Sequence, residues 1–516
     1  MSEKKSYYIT TPIYYVNDVP HIGHAYTTLA CDVMARFKRL SGYDVMFLTG
    51  TDEHGQKVEK SAEKAGIAPQ EFCDNVSSRF RELAGAMNFS NDQFIRTTED
   101  RHKKAVQHLW SVLEEKGFIY EDSYAGWYSV RDEAFYAEKE LIEGEGGEKL
   151  APTGAPVEWV EEPSYFFKLS AFEDKLLDWY DSAEGCVQPK SRLNEVRSFV
   201  KGGLEDLSIS RTTFSWGVPV PGNDKHIMYV WIDALTNYLT AIGYPDQTAQ
   251  TYQDFWPADV HMVGKDILRF HAVYWPAFLM AADLPLPKRV FAHGWWTNEG
   301  QKISKSVGNV IDPFELIETY SLDSVRYFLL REVPFGNDGD FSRLSFVNRC
   351  NADLANGIGN FAQRSLSMVH KNCDGEVPAP GEFTADDQAF LSALDSTLAE
   401  MTVYMDNQAF HKAFECLWAQ VTAADGYIST QEPWKLKKTD PERMKTVLYI
   451  CAEAVRQLSI LMQPIMPDSA AKMLEQMNVT ERGFEHLGEA GRLKAGTEIP
   501  KPQGVYPRFE HSEDTE

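Results

Sequence analysis

Two short clusters in this chain carry the residue types needed for chemistry on a phosphate. The first is Pro20-His21-Ile22-Gly23-His24, and the second is Lys302-Ile303-Ser304-Lys305-Ser306. Histidines three apart on the first turn of a helix share a face, and a glycine between them lets a flat base approach the backbone. A helix start also offers an anion unsatisfied N–H groups and the positive end of the helix dipole. Two lysines three apart in a Ser/Gly loop add positive charge. Together these groups suit in-line attack at a nucleoside triphosphate. Alone, the histidine cluster reads as a surface helix start and the lysine cluster as a solvated loop. Their places in the surrounding pattern lift them above that.

The elements that must position them follow an α/β grammar. YYITTPIYY is strand-like and NDVPHIGH reads as a loop. Ala25 to Leu40 then places Leu29, Val33, Phe37 and Leu40 at helical spacing, with Pro20 as a first-turn proline and Gly42 just past the end. DVMFLTG reads as a buried parallel strand leading into TDEHG. From about Phe118 to Val220 the pattern changes to short β-like pieces around the glycine- and acid-rich EGEGGEKLAPTG, as expected of an insertion. The grammar resumes with HIMYVWIDAL, VHMVG, the helix-like KDILRFHAVYWPAFLMAA and RVFAHGWW, and then the loop NEGQKISKSVGN. After about Phe341 helical stripes replace strands, beginning with Leu354, Ile358, Phe361 and Ser365. The predicted fold is a doubly wound parallel-sheet (Rossmann-like) α/β domain, split by an insertion and followed by an all-α helix bundle.

Composition narrows the function classes. The 516 residues are 43% hydrophobic and 25% charged, enough for several cores, and the length implies roughly two to four domains. Lys+Arg 51 against Asp+Glu 76 gives a net charge of -25. That opposes coating of nucleic acid or anionic membrane by the whole surface but permits a local basic groove. No apolar run is long enough for a membrane span, and Met1 does not open a basic–apolar leader. The seven cysteines are scattered without a Cys-x-x-Cys pair, which points to a reducing, cytoplasmic setting.

PHIGH and KISKS resemble the two signatures of class I aminoacyl-tRNA synthetases, with Ile303 where the second signature usually has Met. The segments TTPIYYVNDVPHIGHAYT, TGTDEHGQK, YVWIDALTNYL, VGKDILRFHAVYWPA, HGWWTNEGQKISKS, DLANGIGNFAQR and ISTQEPWKL resemble, in order, the methionyl-tRNA synthetase family. The resemblance covers nearly the whole chain. It implies a ligase that activates methionine with ATP, carried with Mg²⁺, to methionyl-adenylate and pyrophosphate, and then charges tRNA(Met), initiator and elongator, for translation. A nucleotidylyltransferase without tRNA would have no use for the helical C-terminal part. A tRNA-binding protein with a dead site would have no need of both histidines and both lysines.

Residue by residue, the resemblance makes His21, His24, Lys302 and Lys305 catalytic. Gly23, His24, Gly264, Asp266, Trp296 and Lys305 would bind ATP, with Gly23 under the adenine and Gly264 and Asp266 at the ribose. Ile13, Tyr15, Asp52, Trp231, Ala234, Tyr238, His271, Tyr274 and Trp275 would line the methionine pocket, Asp52 gripping the ammonium. Aromatic rings suit a thioether, each contact being worth about 0.3–1.5 kcal/mol. Asn360 and Arg364, four apart on a helix, and Trp434, after Pro433 at a helix break, would read the anticodon. Lys435, Lys437 and Lys438 would stand near the tRNA backbone. Read without the family, Arg364 is a solvated helix residue, Trp434 a cap on the bundle, and Trp231 and Trp275 core.

The expected division is 1–117 and 221–299 for the two catalytic halves and 118–220 for the connective insertion. Residues 300–345 form the lysine-signature loop and stem-contact region, 346–490 the anticodon-binding domain and 491–516 an irregular tail. One departure from the family concerns its zinc knuckle. The ligand positions here read Ser129 and Asp132, so no metal is expected and the hairpin is held by packing. The insertion is too short for a large editing domain, and no further dimerisation module is apparent, so a monomer is expected.

Overall fold

The computed structural model describes residues 5–16, 19–132, 134–144, 146–303 and 309–510. The chain divides into two compact units. One comprises Ser6–Pro20 and Val45–His293; the other comprises His21–Asp44 and Gly294–Glu516 with the N-terminal Met1–Lys5.

The first unit is built on a seven-stranded sheet. Its strands lie in the order Val187–Gln188, Val290–His293, Val260–Gly264, Ser6–Thr10, Asp44–Asp52 and Tyr14–Tyr15, with Gln93–Arg96 also paired to Asp44–Asp52. The pairing is parallel, with Ile9 opposite Val260, His261 opposite Val290, Leu48 opposite Gln93 and Tyr15 opposite Asp52. DVMFLTG supplies the buried strand its apolar run predicts. Helices such as Asp100–Glu115 bury Val106, Leu109, Trp110 and Leu113 in the same core as Leu48, Val187 and Val263. In sheets of this kind ligands gather at the carboxyl ends of the strands. Thr10, Asp52 and Gly264 mark those ends.

The insertion carries a four-stranded antiparallel sheet whose long pair is Ile119–Ser129 and Glu158–Phe167. Two expectations need correction. Val187–Gln188 lies within 118–220 but is the edge strand of the parallel sheet, reached between the helices Glu173–Ser182 and Lys190–Lys201. Two residues are too short a strand to leave a readable pattern. The strand Asn223–Met228, read as part of the parallel grammar, pairs antiparallel with Ser210–Arg211 and Pro219–Val220 in a small separate sheet. Ile227 and Met228 are apolar there because they too are buried.

The second unit holds the helix Ile22–Leu40, three short strands and the helical C-terminal part. The lysine signature, read as a loop, begins in a hairpin. Trp296–Asn298 pairs antiparallel with Gln301–Lys302, and Glu299 and Gly300 turn between them at φ 49° and 75°. Two positive φ values match the twist of a tight hairpin, and glycine takes the second without strain. Lys302 therefore lies on a strand. Lys305 lies outside the described residues.

Helices follow from Pro313 to Glu475, the longest being Ala385–Asp406, Phe410–Gln431 and Pro441–Met462. Leu354, Ile358, Phe361 and Ser365 are all buried. The stripe is not one α-helix, however, because a π-helical segment, Asn351–Gly359, breaks at Gly357 before Asn360–Asn372 begins. The tail has no long regular element but is pinned: Phe509 exchanges backbone hydrogen bonds with the Asn351 side chain at 2.8 and 2.9 Å. All seven cysteines are buried and unpaired by disulfides. No helix among the described residues is long and apolar enough to cross a membrane.

Candidate active site

In the sheet-bearing unit, the predicted methionine-pocket residues share one buried aromatic region. Trp231 and Ala234 stand on the helix Val230–Leu235, which Tyr238 follows. His271, Tyr274 and Trp275 come from a π-helical turn, Phe270–Tyr274, running into Trp275–Ala281. Wider turns of this sort recur at functional sites. Trp231, Ala234, Tyr238, His271 and Trp275 are buried, while Ile13, Tyr15 and Tyr274 are partly buried against the same core. The Tyr238 ring lies 6.0 Å from Trp275 and 5.7 Å from His271.

Hydrogen bonds fix the protonation of this region. The Nδ1–H of His271 donates to the carbonyl of Ile267 at 2.9 Å, and with burial disfavouring the charged ring its Nε2 accepts from the Tyr238 hydroxyl at 2.7 Å. Trp275 Nε1–H donates to Nε2 of His261 at 3.3 Å, which leaves the proton of His261 on Nδ1, against Thr10 Oγ1 at 2.8 Å. Both imidazoles are thus neutral. Burial pulls His271 down to about 4, and burial with the neighbouring His271 pulls His261 well below its usual range. A neutral, ring-lined pocket favours a soft apolar side chain and rejects a charged one.

Asp52 ends its strand, buried beside Tyr15. Gly264 ends the strand Val260–Gly264 and leads into the short turn holding Asp266. A Cβ at position 264 would come within 2.4 Å of Asp266 Oδ1, so glycine is what lets that carboxylate fold back over the strand end. Sequence reasoning missed Phe270, which stacks on Trp231 at 3.5 Å and 11°, and His261. Each sits in a segment already singled out; an isolated apolar ring reads as core until its partner is seen. A cavity of about 370 Å³ lies against Phe270, Tyr274 and Asp266.

In the other unit, the helix Ile22–Leu40 starts earlier than its apolar spacing predicted, and Pro20 precedes the cap instead of opening the helix. His21 itself is the cap, because its Nδ1 accepts from the Gly23 N–H at 3.1 Å. The Nδ1 of His24 accepts in return from the His21 N–H at 3.1 Å, and the two rings lie 3.9 Å apart. A Cβ at Gly23 would press on His21 Cε1 at 2.9 Å. Burial, reinforced by His21, pulls His24 well below its usual range. The pair is a neutral donor set on the first turn of a 19-residue helix. Trp296 is buried edge-on to Tyr26 at 5.5 Å.

The anticodon candidates belong to this same unit. Asn360 opens the helix Asn360–Asn372 and is exposed. Arg364, one turn on, donates to Asp425 Oδ1 at 2.8 Å. Trp434 is 43% exposed, on a short helix that starts after Glu432 in left-handed backbone. An indole exposed in this way at a helix start has a ring face open to solvent, as base stacking requires.

Residues 7–366 match the family described as tRNA synthetases class I (M), and residues 377–516 match the anticodon binding domain of methionyl tRNA ligase. The chain is 57% identical to the methionine–tRNA ligase of Brucella suis biovar 1 over 516 residues, all of both chains. The chain belongs to the methionyl-tRNA synthetases. It is also 56% identical to the Rhizobium meliloti enzyme over 511 residues, 99% of each chain. Its fold superposes on a Mycobacterium tuberculosis methionyl-tRNA synthetase in complex with methionyl-adenylate. That match has a TM-score of 0.95 and 52% identity, covering 98% of this chain and 100% of that one. The apo form of the same enzyme gives a TM-score of 0.89 at 48% identity, covering 99% of each. Members of this family are ligases that join methionine to tRNA.

The residues at the family's knuckle do not fit zinc. The Asp132 carboxylate accepts from Tyr136 at 3.1 Å and from Thr153, and Arg131 lies 3.2 Å from its other oxygen. Arg131 also donates to the backbone and side-chain oxygens of Thr153, both at 2.9 Å. Soft thiolate ligands are lacking, and the nearest hard oxygens are already engaged.

Proposed function

We propose that the chain makes methionyl-adenylate and pyrophosphate from L-methionine and ATP and then charges tRNA(Met). The methionine carboxylate is already ionised, so the first step needs no general base. What the protein supplies is alignment and charge stabilisation around the α-phosphorus. His21 and His24 donate to the phosphates from the helix start, and Lys302 and Lys305 neutralise the departing pyrophosphate. Gly264 and Asp266 hold the ribose, Gly23 admits the adenine and Trp296 backs the nucleotide. Asp52 holds the methionine ammonium, while Tyr15, Trp231, Tyr238, Tyr274, Trp275 and the aliphatic Ile13 and Ala234 enclose the thioether. His271 holds the Tyr238 hydroxyl in place. Mg²⁺ arrives on the nucleotide, its usual carrier when phosphates supply most of the ligands.

The observation that carries this reading is the neutrality of the pocket. Both ring nitrogens of each imidazole are engaged with protein groups, and the pocket's stacked rings suit sulfur. ATP–pyrophosphate exchange should depend on methionine and hardly respond to leucine, valine or cysteine. Exchange driven equally by leucine would overturn the assignment.

Asn360, Arg364 and Trp434 read the anticodon of initiator and elongator tRNA(Met). The enzyme works as a cytoplasmic monomer, for which light scattering should return the mass of one chain. The knuckle holds no zinc: its Asp132–Tyr136–Thr153–Arg131 hydrogen bonds do the bracing that thiolates and metal do elsewhere. Elemental analysis finding about one tightly bound zinc per chain would overturn this.

A further inference from the structure

The TDEHG loop and the helix Val230–Leu235 are joined by a buried cluster that no step above uses. Asp233 stands on that helix between Trp231 and Ala234 and has no exposed surface. Its Oδ2 accepts from His54 Nδ1 at 2.6 Å and its Oδ1 from His102 Nε2 at 2.8 Å. His54 lies two residues beyond Asp52. His102 comes from the helix Asp100–Glu115, and its Nδ1 meets Thr240 Oγ1 at 3.1 Å. All four side chains are buried. Burial pushes the Asp233 carboxyl up, but the charge and hydrogen bonds of the two imidazoles outweigh it and hold the group far below the usual carboxylate range.

The loop is pinned on its other side as well. Glu53, between Asp52 and His54, takes a two-pronged grip from Arg96 at 2.6 and 2.9 Å. With Glu53 tied to the strand Gln93–Arg96 and His54 to Asp233, Asp52 has little freedom relative to the helix that carries Trp231 and Ala234. A buried carboxylate whose two oxygens are both engaged is a stiff joint, since release of either partner strands a charge away from water.

We infer that His54, Asp233 and His102 are positioning residues for amino-acid selection: the imidazole–carboxylate–imidazole cluster sets the gap between the ammonium-binding Asp52 and the ring wall of Trp231. The inference rests on the reading that Asp52 and Trp231 line the methionine site. None of the three touches substrate. Their contribution is the placement of groups that do, where small displacements have large kinetic effects.

The test is exchange kinetics on the full chain. His54→Ala should raise the methionine KM about tenfold while kcat changes less than about threefold. The ATP KM should stay in place, and selectivity for methionine over leucine should fall. His54→Asn, whose amide nitrogen can stand in for Nδ1–H, should recover most of the loss, and His102→Gln should behave likewise for Nε2. A folded His54→Ala variant with an unmoved methionine KM, with methionine and ATP KM rising together, or with no recovery in His54→Asn would overturn the inference. If His54→Ala does not fold by circular dichroism, Asp233→Asn decides: a raised methionine KM supports the cluster and an unchanged one refutes it. Asp52→Ala is the control. If that variant also leaves the methionine KM alone, the methionine-site reading has failed, not the cluster.

Discussion

Arg326 and Asp32 form an ion pair at 2.6 Å in which neither side chain has any exposed surface. The same guanidinium donates to the carbonyls of Ile465 at 2.8 Å and Pro464 at 3.1 Å, and Asp32 also accepts from Arg36 at 2.9 Å. The helix that begins with His21 and His24 is therefore fastened at its middle to the turn between Pro441–Met462 and Pro467–Glu475. Removing Arg326 takes the fully buried partner from Asp32 and leaves that carboxylate to the partly exposed Arg36. Arg326→Leu should cost about 3–5 kcal/mol, read as a fall in the urea midpoint. A loss under about 1 kcal/mol would show the pair to be an incidental contact.

His21 caps its helix, and the phosphate-binding role proposed for it can be separated from that. Asn is a good helix cap but lacks an imidazole. His21→Asn should leave the melting temperature nearly unchanged while methionine-dependent pyrophosphate exchange falls about a hundredfold, the scale for losing one preorganised donor to a developing charge. Equal loss of stability and activity would mean the residue matters only as a cap.

Stability should depend on pH through the buried imidazoles. Folding holds His24, His261 and His271 below their ordinary range, His271 at about 4. Unfolding returns each to about 6.5. Between those values the unfolded chain binds more protons, so stability rises with pH and falls on acidification. The urea midpoint should drop between about pH 7 and pH 5, and more gently in His271→Gln than in the wild type. Parallel slopes would remove His271 from the account.

The stack of Phe270 on Trp231 predicts a selective binding defect. Phe270→Ala removes the face that keeps Trp231 in place, and aromatic pairs are worth about 0.5–1.5 kcal/mol beyond their burial. The methionine KM should rise between about three- and tenfold with the ATP KM unmoved. Steady-state exchange at fixed ATP is sufficient to see it.

Trp434 is exposed and stands on a short helix of the C-terminal part, so under the proposed reading its removal should separate the two half-reactions. Trp434→Ala should lower tRNA charging by the loss of one stacked base, about 1–3 kcal/mol, and leave exchange as it was. If both reactions decline together, the proposed division of labour between the two parts of the chain is wrong.

Most of the architecture was legible because it is written in periodicity. The run from Asp44 to Asp52 could only be a buried strand, and the spacing from Leu29 to Leu40 could only be a helix. Two of the misreadings share a cause: they fall where two or three residues decide an element. Val187–Gln188 is too short to show a period, and the turn at Glu299–Gly300 is settled by backbone angles that no hydrophobic pattern reports. At the site, residue types named the candidates but not their partners. His54 and His102 are 48 positions apart in the sequence, and nothing local says that both meet Asp233. Phe270 was hidden for the opposite reason, lying among so many aromatic neighbours that one more ring carried no signal.

The seven thiols are distributed through both units, Cys73 and Cys186 in one and Cys31, Cys350, Cys373, Cys416 and Cys451 in the other, and all are buried, Cys373 and Cys416 least completely. A thiol reacts as its exposed thiolate, so an alkylating reagent added to the native enzyme should reach Cys373 and Cys416 first and the other five after a local or global opening. The chain thus carries its own set of clocks. Mass spectrometry of the order in which the seven become labelled would rank the parts of the molecule by how readily each comes apart, with no engineered reporter.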